Sequence, residues 1–333
     1  MTQVFVGELA QFADTMIGPQ LTQVINRLRR PVRIAVIGRD GVGRGNVVAA
    51  LRRRGVAVVP PDVCEVCVLV IAEALKAEDL AAVRTSRRPV LIVLTKADLA
   101  STGSGGPLAV TRDRAGAIRI LTATPTVPMV GLLAALESDV LDGDLVAALR
   151  AFVGEPPNLT SVDAFVGDPH SVGRDVRARL LERLDRFGIA HAILALAGGT
   201  EPALLPAHLA RLGNLDEVMC ALDAVSAPVR YRRLCTALAE LRSLTVQLGS
   251  SPLSDTLTDL LAADVTVMAA MTAAVDVIEA DGRSVDRGDT PAAHLDRAIR
   301  WSRYGRGPVN ALHRRCSRDI VRGSLRLLDG ASA

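Results

Sequence analysis

The residues with the most chemistry in them form a glycine-rich turn, Gly38-Arg39-Asp40-Gly41-Val42-Gly43-Arg44-Gly45-Asn46, directly after the apolar run Val32–Gly38. The spacing of Gly38 and Gly43 fits the phosphate-loop pattern G-x-x-x-x-G-K-[ST]. In that pattern, glycines let successive backbone N–H groups wrap a phosphate at a helix N-terminus. Two positions depart from it. Arg44 stands where a lysine reaches the terminal phosphates, and Gly45 stands where a Ser or Thr hydroxyl binds Mg²⁺. Arginine keeps the charge but is longer and branched, whereas glycine has no oxygen to offer a metal. The candidate phosphate-facing residues are Gly38, Asp40, Gly41, Gly43, Arg44, Gly45 and Asn46.

A second cluster, Thr95-Lys96-Ala97-Asp98, follows directly on the apolar run Val90–Leu94. It resembles the guanine-specificity motif [NT]-K-x-D of regulatory GTPases. A carboxylate at Asp98 can accept from the N1–H and N2–H₂ of guanine, donors that adenine does not pair in the same way. The stem of Lys96 can lie along the base plane. Of the chain's 39 basic residues, 37 are arginines, so Lys96 is one of two lysines, and it falls where a guanine pocket wants one.

Only 51 residues separate Arg44 from Lys96, too few for both switch segments of a regulatory GTPase. The nearest approach to a D-x-x-G switch is Asp62-Val63-Cys64-Glu65, with a repelling glutamate in place of the glycine. The Ser-Ala that normally completes a guanine pocket is missing from Thr126–Gly131. The pattern therefore keeps base-reading residues and loses Mg²⁺ ligands. A dinucleotide-binding unit is the rival reading: strand, glycine turn, helix, a second strand, then Asp62. It wants G-x-G-x-x-G, and Asp40 occupies the second glycine's place, where it repels a pyrophosphate.

These clusters need elements to hold them. Apolar runs at Val32–Gly38, Val56–Val59, Val66–Ile71, Pro89–Lys96 and Thr126–Val130 alternate with helical stretches, which predicts a parallel sheet covered on both faces. Residues 3–30 read as helical, with Pro19 a break and Pro31 a stop. A Gly/Ser loop is expected at 101–106. From about Gly154 the segment GEPPNL reads as a linker, and no strand is evident beyond it. Val176, Leu180, Leu181, Leu184 and Phe187 make one helical face, with Gly188 as its C-cap. Further helices are expected at 203–223, 227–248, 253–280 and 290–328. The expected division is an N-terminal helical segment (1–30), an α/β domain (31–154) and an all-α bundle (155–333).

The 333 residues are 49% hydrophobic and carry a formal charge of +3, which excludes general disorder. A charge near zero and eight aromatic residues argue against nucleic acid as a partner. The N-terminus lacks the basic region of a signal peptide and carries Glu8 early, so none is expected. The apolar stretch Val265–Val275 is too short to span a bilayer and reads as a core helix. Five scattered cysteines do not make a disulfide framework, and Cys64-x-x-Cys67 reads as part of a buried strand. The five histidines show no metal-ligand spacing. The arginine clusters at 52–54, 232–233 and 314–315 read as solvated helix faces. A cytoplasmic location is expected.

Together the glycine turn, the T-K-A-D motif and the helical half resemble an actinobacterial dynamin-like GTPase with a degenerate G domain. Leu180–Ile189, Leu209–Leu222, Trp301 and the helix before the α/β domain are similar to segments of that family. The resemblance implies a reduced, mostly parallel G-domain-like P-loop fold followed by a helical bundle. It implies GTP or GDP as ligand, with Mg²⁺ short of ligands. It also implies association through the helical domain with a paralogous dynamin-like GTPase or with itself, and peripheral contact with the inner membrane face. The expected function is a pseudo-GTPase that regulates or assembles with an active GTPase. The alternatives are a divergent GTPase completed by a partner, or a dinucleotide-binding protein.

Overall fold

The computed structural model describes residues 2–15, 19–99, 106–137 and 141–331; the expected Gly/Ser loop, Gly106 apart, lies outside them. The chain resolves into two compact units, Arg33–Leu222 and Met1–Val32 with Asp223–Ala333.

The first unit is built on five parallel strands: β1 (Arg33–Ile37), β2 (Ala57–Val58), β3 (Val66–Ala72), β4 (Val90–Thr95) and β5 (Thr126–Pro128), in the order β2-β1-β3-β4-β5. β3 and β4 are buried along nearly their whole length, as expected of strands covered on both faces. The helices of this unit are α3 (Arg44–Arg53), α4 (Ala77–Thr85), α5 (Gly106–Thr122), α6 (Gly131–Ala134), α7 (Gly143–Gly154), α8 (Val162–Gly167), α9 (Arg174–Ala197) and α10 (Leu205–Leu212). Ala115 and Ile118 of α5 pack on Leu69, Ile71, Ile92 and Leu94.

The connection from β2 to β3 has no helix. β2 ends level with Ile34 and β3 begins level with Ile34, so residues 59–65 cross under the amino end of β1. Val59 N–H donates to the Ile34 carbonyl (2.9 Å) and Glu65 N–H to the Arg33 carbonyl (2.8 Å). The Glu65 carboxylate accepts from the Arg33 N–H at 3.1 Å. Parallel crossovers usually take a dozen residues or more; seven suffice here because β2 stops after two. Cys64 and Cys67 lie in and beside the start of β3, buried, with their Sγ atoms 3.5 Å apart.

The expected boundary at 154 does not coincide with the division into units. Residues 155–159 form a surface loop, but Phe152 before it and Phe165 after it meet edge to face at 5.8 Å. A single core unites Ala97 and Val130 of the sheet's carboxyl edge with Leu133, Leu149, Phe152, Phe165, Leu180, Leu184, Ile189 and Leu205. Gly188 is not a C-cap. Helix α9 continues past it, because a side chain there would meet Leu133 Cδ2 at 2.9 Å and Leu184 Cβ at 3.0 Å, so its lack of one permits close packing. The break in α9 falls instead at Asp185 (φ 56°, ψ 173°).

The second unit joins both ends of the chain. α1 (Thr2–Thr15) and α2 (Pro19–Arg29) place Phe5, Leu9, Leu21 and Ile25 in one core with Tyr231, Leu238, Ile278, Trp301 and Ile320. The N-terminal segment is thus part of the helical unit. Its other elements are α11 (Leu215–Leu248), in which the division between units falls, α12 (Pro252–Ala262), α13 (Asp264–Ala280), α14 (Pro291–Arg306) and α15 (Ala311–Ala331). The expected helix 253–280 is two helices meeting at 44°, because Ala263 is extended (φ −63°, ψ 153°). Likewise 290–328 divides in two at Gly307–Asn310. The boundary expected near residue 225 falls instead at Gly213-Asn214, and α11 runs through Pro228. α13 buries most of Val265–Val275 as core, and among the described residues no single helix is long and apolar enough to cross a membrane.

The arginine clusters do structural work as well as facing solvent. Arg53 donates to the carbonyls of Ala134 and Leu136, closing α6, and Arg54 pairs with Asp216. Arg233 holds the Arg30 carbonyl at the end of α2.

Gly213 shows how tightly the first unit is assembled: a Cβ there would sit 2.4 Å from Ala134 N. Gly213→Ala is expected to lower stability by about 1–3 kcal/mol in denaturant unfolding. Gly116→Ala, in α5 with nothing within 4 Å of the added carbon, is expected to raise it by about 0.5–1 kcal/mol.

Candidate functional site

The glycine turn leaves the carboxyl end of β1 and enters α3. Gly38 (φ 148°) lies so close to β3 that a Cβ would sit 2.4 Å from the Val70 carbonyl oxygen. Gly41 (φ 78°) and Gly43 (φ 86°) take left-handed conformations that disfavour a side chain. Val42 between them is buried. Gly43 is also the N-cap of α3 and provides no side-chain cap, so the first N–H groups of the helix face the turn uncapped by a side chain.

Thr95, the last residue of β4, reaches back to this turn. Its buried hydroxyl lies 2.5 Å from the Val42 carbonyl oxygen and 2.9 Å from that of Ile71. One proton serves two acceptors, so the hydroxyl ties the glycine turn to the ends of β3 and β4 together. Lys96 follows in a left-handed conformation (φ 56°), exposed, and Asp98 is half-buried in a 3₁₀ turn. Burial raises the Asp98 carboxyl above the ordinary aspartate value; the charge of Asp185 raises it further and Lys96 opposes both. Asp185 is the residue at which α9 breaks, and its Oδ1 accepts the Arg186 N–H.

The charges of the turn are partly spoken for. Arg39 makes a two-pronged pair with Asp79, Nε and Nη2 each 3.2 Å from a carboxylate oxygen. Asp79 is buried in the first turn of α4 and also accepts the Lys76 N–H at 3.0 Å. Arg44 folds back onto Asp40, four residues earlier, at 2.7 Å. That pair is exposed and contributes little to stability. Asn46 is half-buried and packs against Gly131, where an added Cβ would meet its Cβ at 3.3 Å and its Nδ2 at 3.9 Å. Around Gly45 there is nothing within 4 Å of an added Cβ, so its lack of a side chain answers no steric demand.

The sequence-derived residues thus fall in two groups, Gly38–Asn46 and Thr95–Asp98, both at the carboxyl edge of the sheet and tied by Thr95. The other two motifs lie elsewhere. Asp62–Glu65 precede β3 at the amino edge, about 16 Å from Gly38 at ~3.3 Å per residue along β1. They cannot act as a switch beside the turn, and Asp62 cannot bind a ribose there. Arg88 instead fastens that loop, donating to the carbonyls of Pro61 and Asp62 and to Cys64 Sγ.

Sequence reasoning missed Asp79, Asp185 and Asn214. Asp79 had a signal, since it stands three residues after Lys76 at a helix start, as a capping residue does. Asp185 and Asn214 had none, because their roles come from tertiary packing. Asn214 Nδ2 donates to the Pro128 carbonyl at the end of β5.

Backbone donors at the turn suit a phosphate, and the carboxylate of Asp98 suits the N–H edge of a base. Gly45 offers no side-chain oxygen where the phosphate-loop pattern places a Mg²⁺ ligand. No family model, curated protein or solved structure matches the chain.

The folded protein holds the Asp98 proton more tightly than the unfolded chain. The stability this group contributes is therefore full below the ordinary aspartate value and is lost as pH rises through the raised one. Asp98→Asn is expected to flatten that decline. Unfolding midpoints of both proteins from pH 3 to pH 7 check it; a wild type that gains stability relative to Asp98→Asn with rising pH would contradict the assignment.

Proposed function

We propose that this chain is a G-domain-like P-loop protein that keeps its nucleotide-facing edge and has lost its hydrolytic parts. It is a pseudo-GTPase that holds GTP or GDP weakly without Mg²⁺-dependent turnover. The observation that carries this reading is the Thr95 hydroxyl on the Val42 carbonyl. It joins the base-reading motif to the glycine turn, as one ligand spanning both would require. The strand order supports it. The glycine turn follows β1 where the order reverses direction, and ligands of open α/β sheets bind in the crevice outside the carboxyl ends at such a point. The helix-less crossover from β2 to β3 supports the loss of hydrolysis in one respect: it keeps Asp62–Glu65, the nearest approach to a D-x-x-G switch, at the amino edge, away from the turn.

In this reading the protein regulates or assembles with an active dynamin-like GTPase, or with itself, through its helical unit. It works in the cytoplasm, peripherally at the inner membrane face. A divergent GTPase completed by a partner is the second reading. It draws on Arg44, whose exposed pair with Asp40 can open to offer its charge to a phosphate.

Fluorescent GTP titration is expected to show binding in the micromolar range or weaker. Phosphate release with Mg²⁺ is expected to match buffer alone. The double variant Arg44→Lys with Gly45→Ser rebuilds the phosphate-loop pattern where space is open, and should tighten GTP binding about tenfold or more. Efficient Mg²⁺-dependent hydrolysis by the unmodified protein, lost in Asp98→Ala, would overturn the proposal. Hydrolysis that appears only with an added partner GTPase of inactivated P-loop would favour the second reading.

A further inference from the structure

The helical unit holds a cavity of about 310 Å³ between the turn at Gly282–Ser284 and α14, lined by Gly282, Arg283, Ser284, Arg300, Trp301 and Tyr304. It gathers the chain's one tryptophan and one of its two tyrosines. The two rings meet edge to face at 5.0 Å. Each carries a guanidinium: Arg283 lies 5.0 Å from the Tyr304 ring centre and Arg300 lies 6.0 Å from that of Trp301. Tyr304 is fixed from behind, its hydroxyl 2.7 Å from His313 Nδ1.

The polar groups of this cavity are donors in excess. Trp301 is 2% exposed, and its indole N–H has no hydrogen-bond partner. Among the described residues Arg300 makes no ion pair. Arg283 has a loose, exposed one with Asp281 at 3.7 Å. On the α14 side, residues 291–331 carry nine arginines against three aspartates. Two guanidiniums match an acceptor with several oxygens and a negative charge, and a phosphate offers three or four. The volume exceeds one phosphate group, leaving room for a small organic body along Tyr304.

We propose that the cavity over Trp301 is a binding site for a phosphate-bearing ligand, held by Arg283 and Arg300 beside the Trp301 and Tyr304 rings. It lies wholly in the helical unit and stands independently of any nucleotide at the sheet.

Because Trp301 is the sole tryptophan, the intrinsic emission of the whole chain reports on this site. The full-length protein is titrated with inorganic phosphate, with glycerol 3-phosphate and with phosphatidylglycerol vesicles, each against chloride at matched ionic strength. A saturable emission change is expected with at least one phosphate probe. It should weaken at least tenfold in Arg300→Gln, survive in Arg300→Lys, and leave the melting temperature of the free protein unchanged. A response to the soluble probes assigns a free phosphate ester; a response to vesicles alone assigns a lipid headgroup. No response to any of the three overturns the proposal. So does a response matched by chloride, or one that persists in Arg283→Gln/Arg300→Gln.

Discussion

Gly38 can lie against the Val70 carbonyl because it has no side chain, and the path of the chain beyond it follows from that approach. The turn must then climb through left-handed Gly41 and Gly43, with Val42 tucked between them and buried. Thr95 closes the arrangement from the neighbouring strand. A hydroxyl shared between Val42 and Ile71 sets the height of the turn against the ends of β3 and β4. The same edge holds residues in costly backbone conformations. Glu73 follows β3 and Lys96 follows β4, both with positive φ, and Asn214 (φ 60°) is bonded to the end of β5. Non-glycine residues in such conformations cost about 1–3 kcal/mol each and tend to cluster where a ligand is held. Three neighbouring strands each meeting such a residue at one edge make that edge the place where the fold has been shaped for something other than stability.

Local chemistry accounts for what was legible in the sequence. The strands announced themselves as short apolar runs, because a parallel sheet buried on both faces has no polar alternation. The glycine turn was visible because left-handed backbone and close approach both demand glycine. Arg44 and Gly45 showed from the sequence alone which side chains a Mg²⁺ site would lack. What was not legible depends on register. Nothing in Asp62-Val63-Cys64-Glu65 reveals that β2 ends after two residues, and so nothing reveals that this motif lies at the wrong edge of the sheet. The placement of residues 160–222 with the sheet was hidden for a similar reason. An exposed Pro-rich loop looks like a linker until Phe152 and Phe165 are found in one core. Gly188 likewise suits a helix end by type, while its real constraint is Leu133 from another helix.

The helical unit segregates charge along its length. Residues 251–290 carry eight acidic residues and two arginines, whereas residues 291–331 carry nine arginines and three aspartates. Some of this is neutralised internally, as Arg326 pairs with Asp264 at 2.7 Å. Arg297 is buried and spends its donors on Ser324, on the carbonyls of Asp286 and Gly288, and on His294. Arg283 and Arg300 are different. They sit on aromatic faces at the mouth of a cavity, where an anion is the natural complement. The unit therefore uses arginine in two ways, as a lock between segments and as an open donor.

The central claim is that the carboxyl edge of the sheet, tied together by Thr95, is the nucleotide-facing surface. Backbone amide hydrogen exchange with and without millimolar GDP tests it most directly. The account predicts slowed exchange in two separate segments at once, Gly41–Asn46 and Ala97–Leu99, with Asp62–Glu65 unchanged. Protection centred on Asp62–Glu65, or no protection in either predicted segment at saturating GDP, would contradict it.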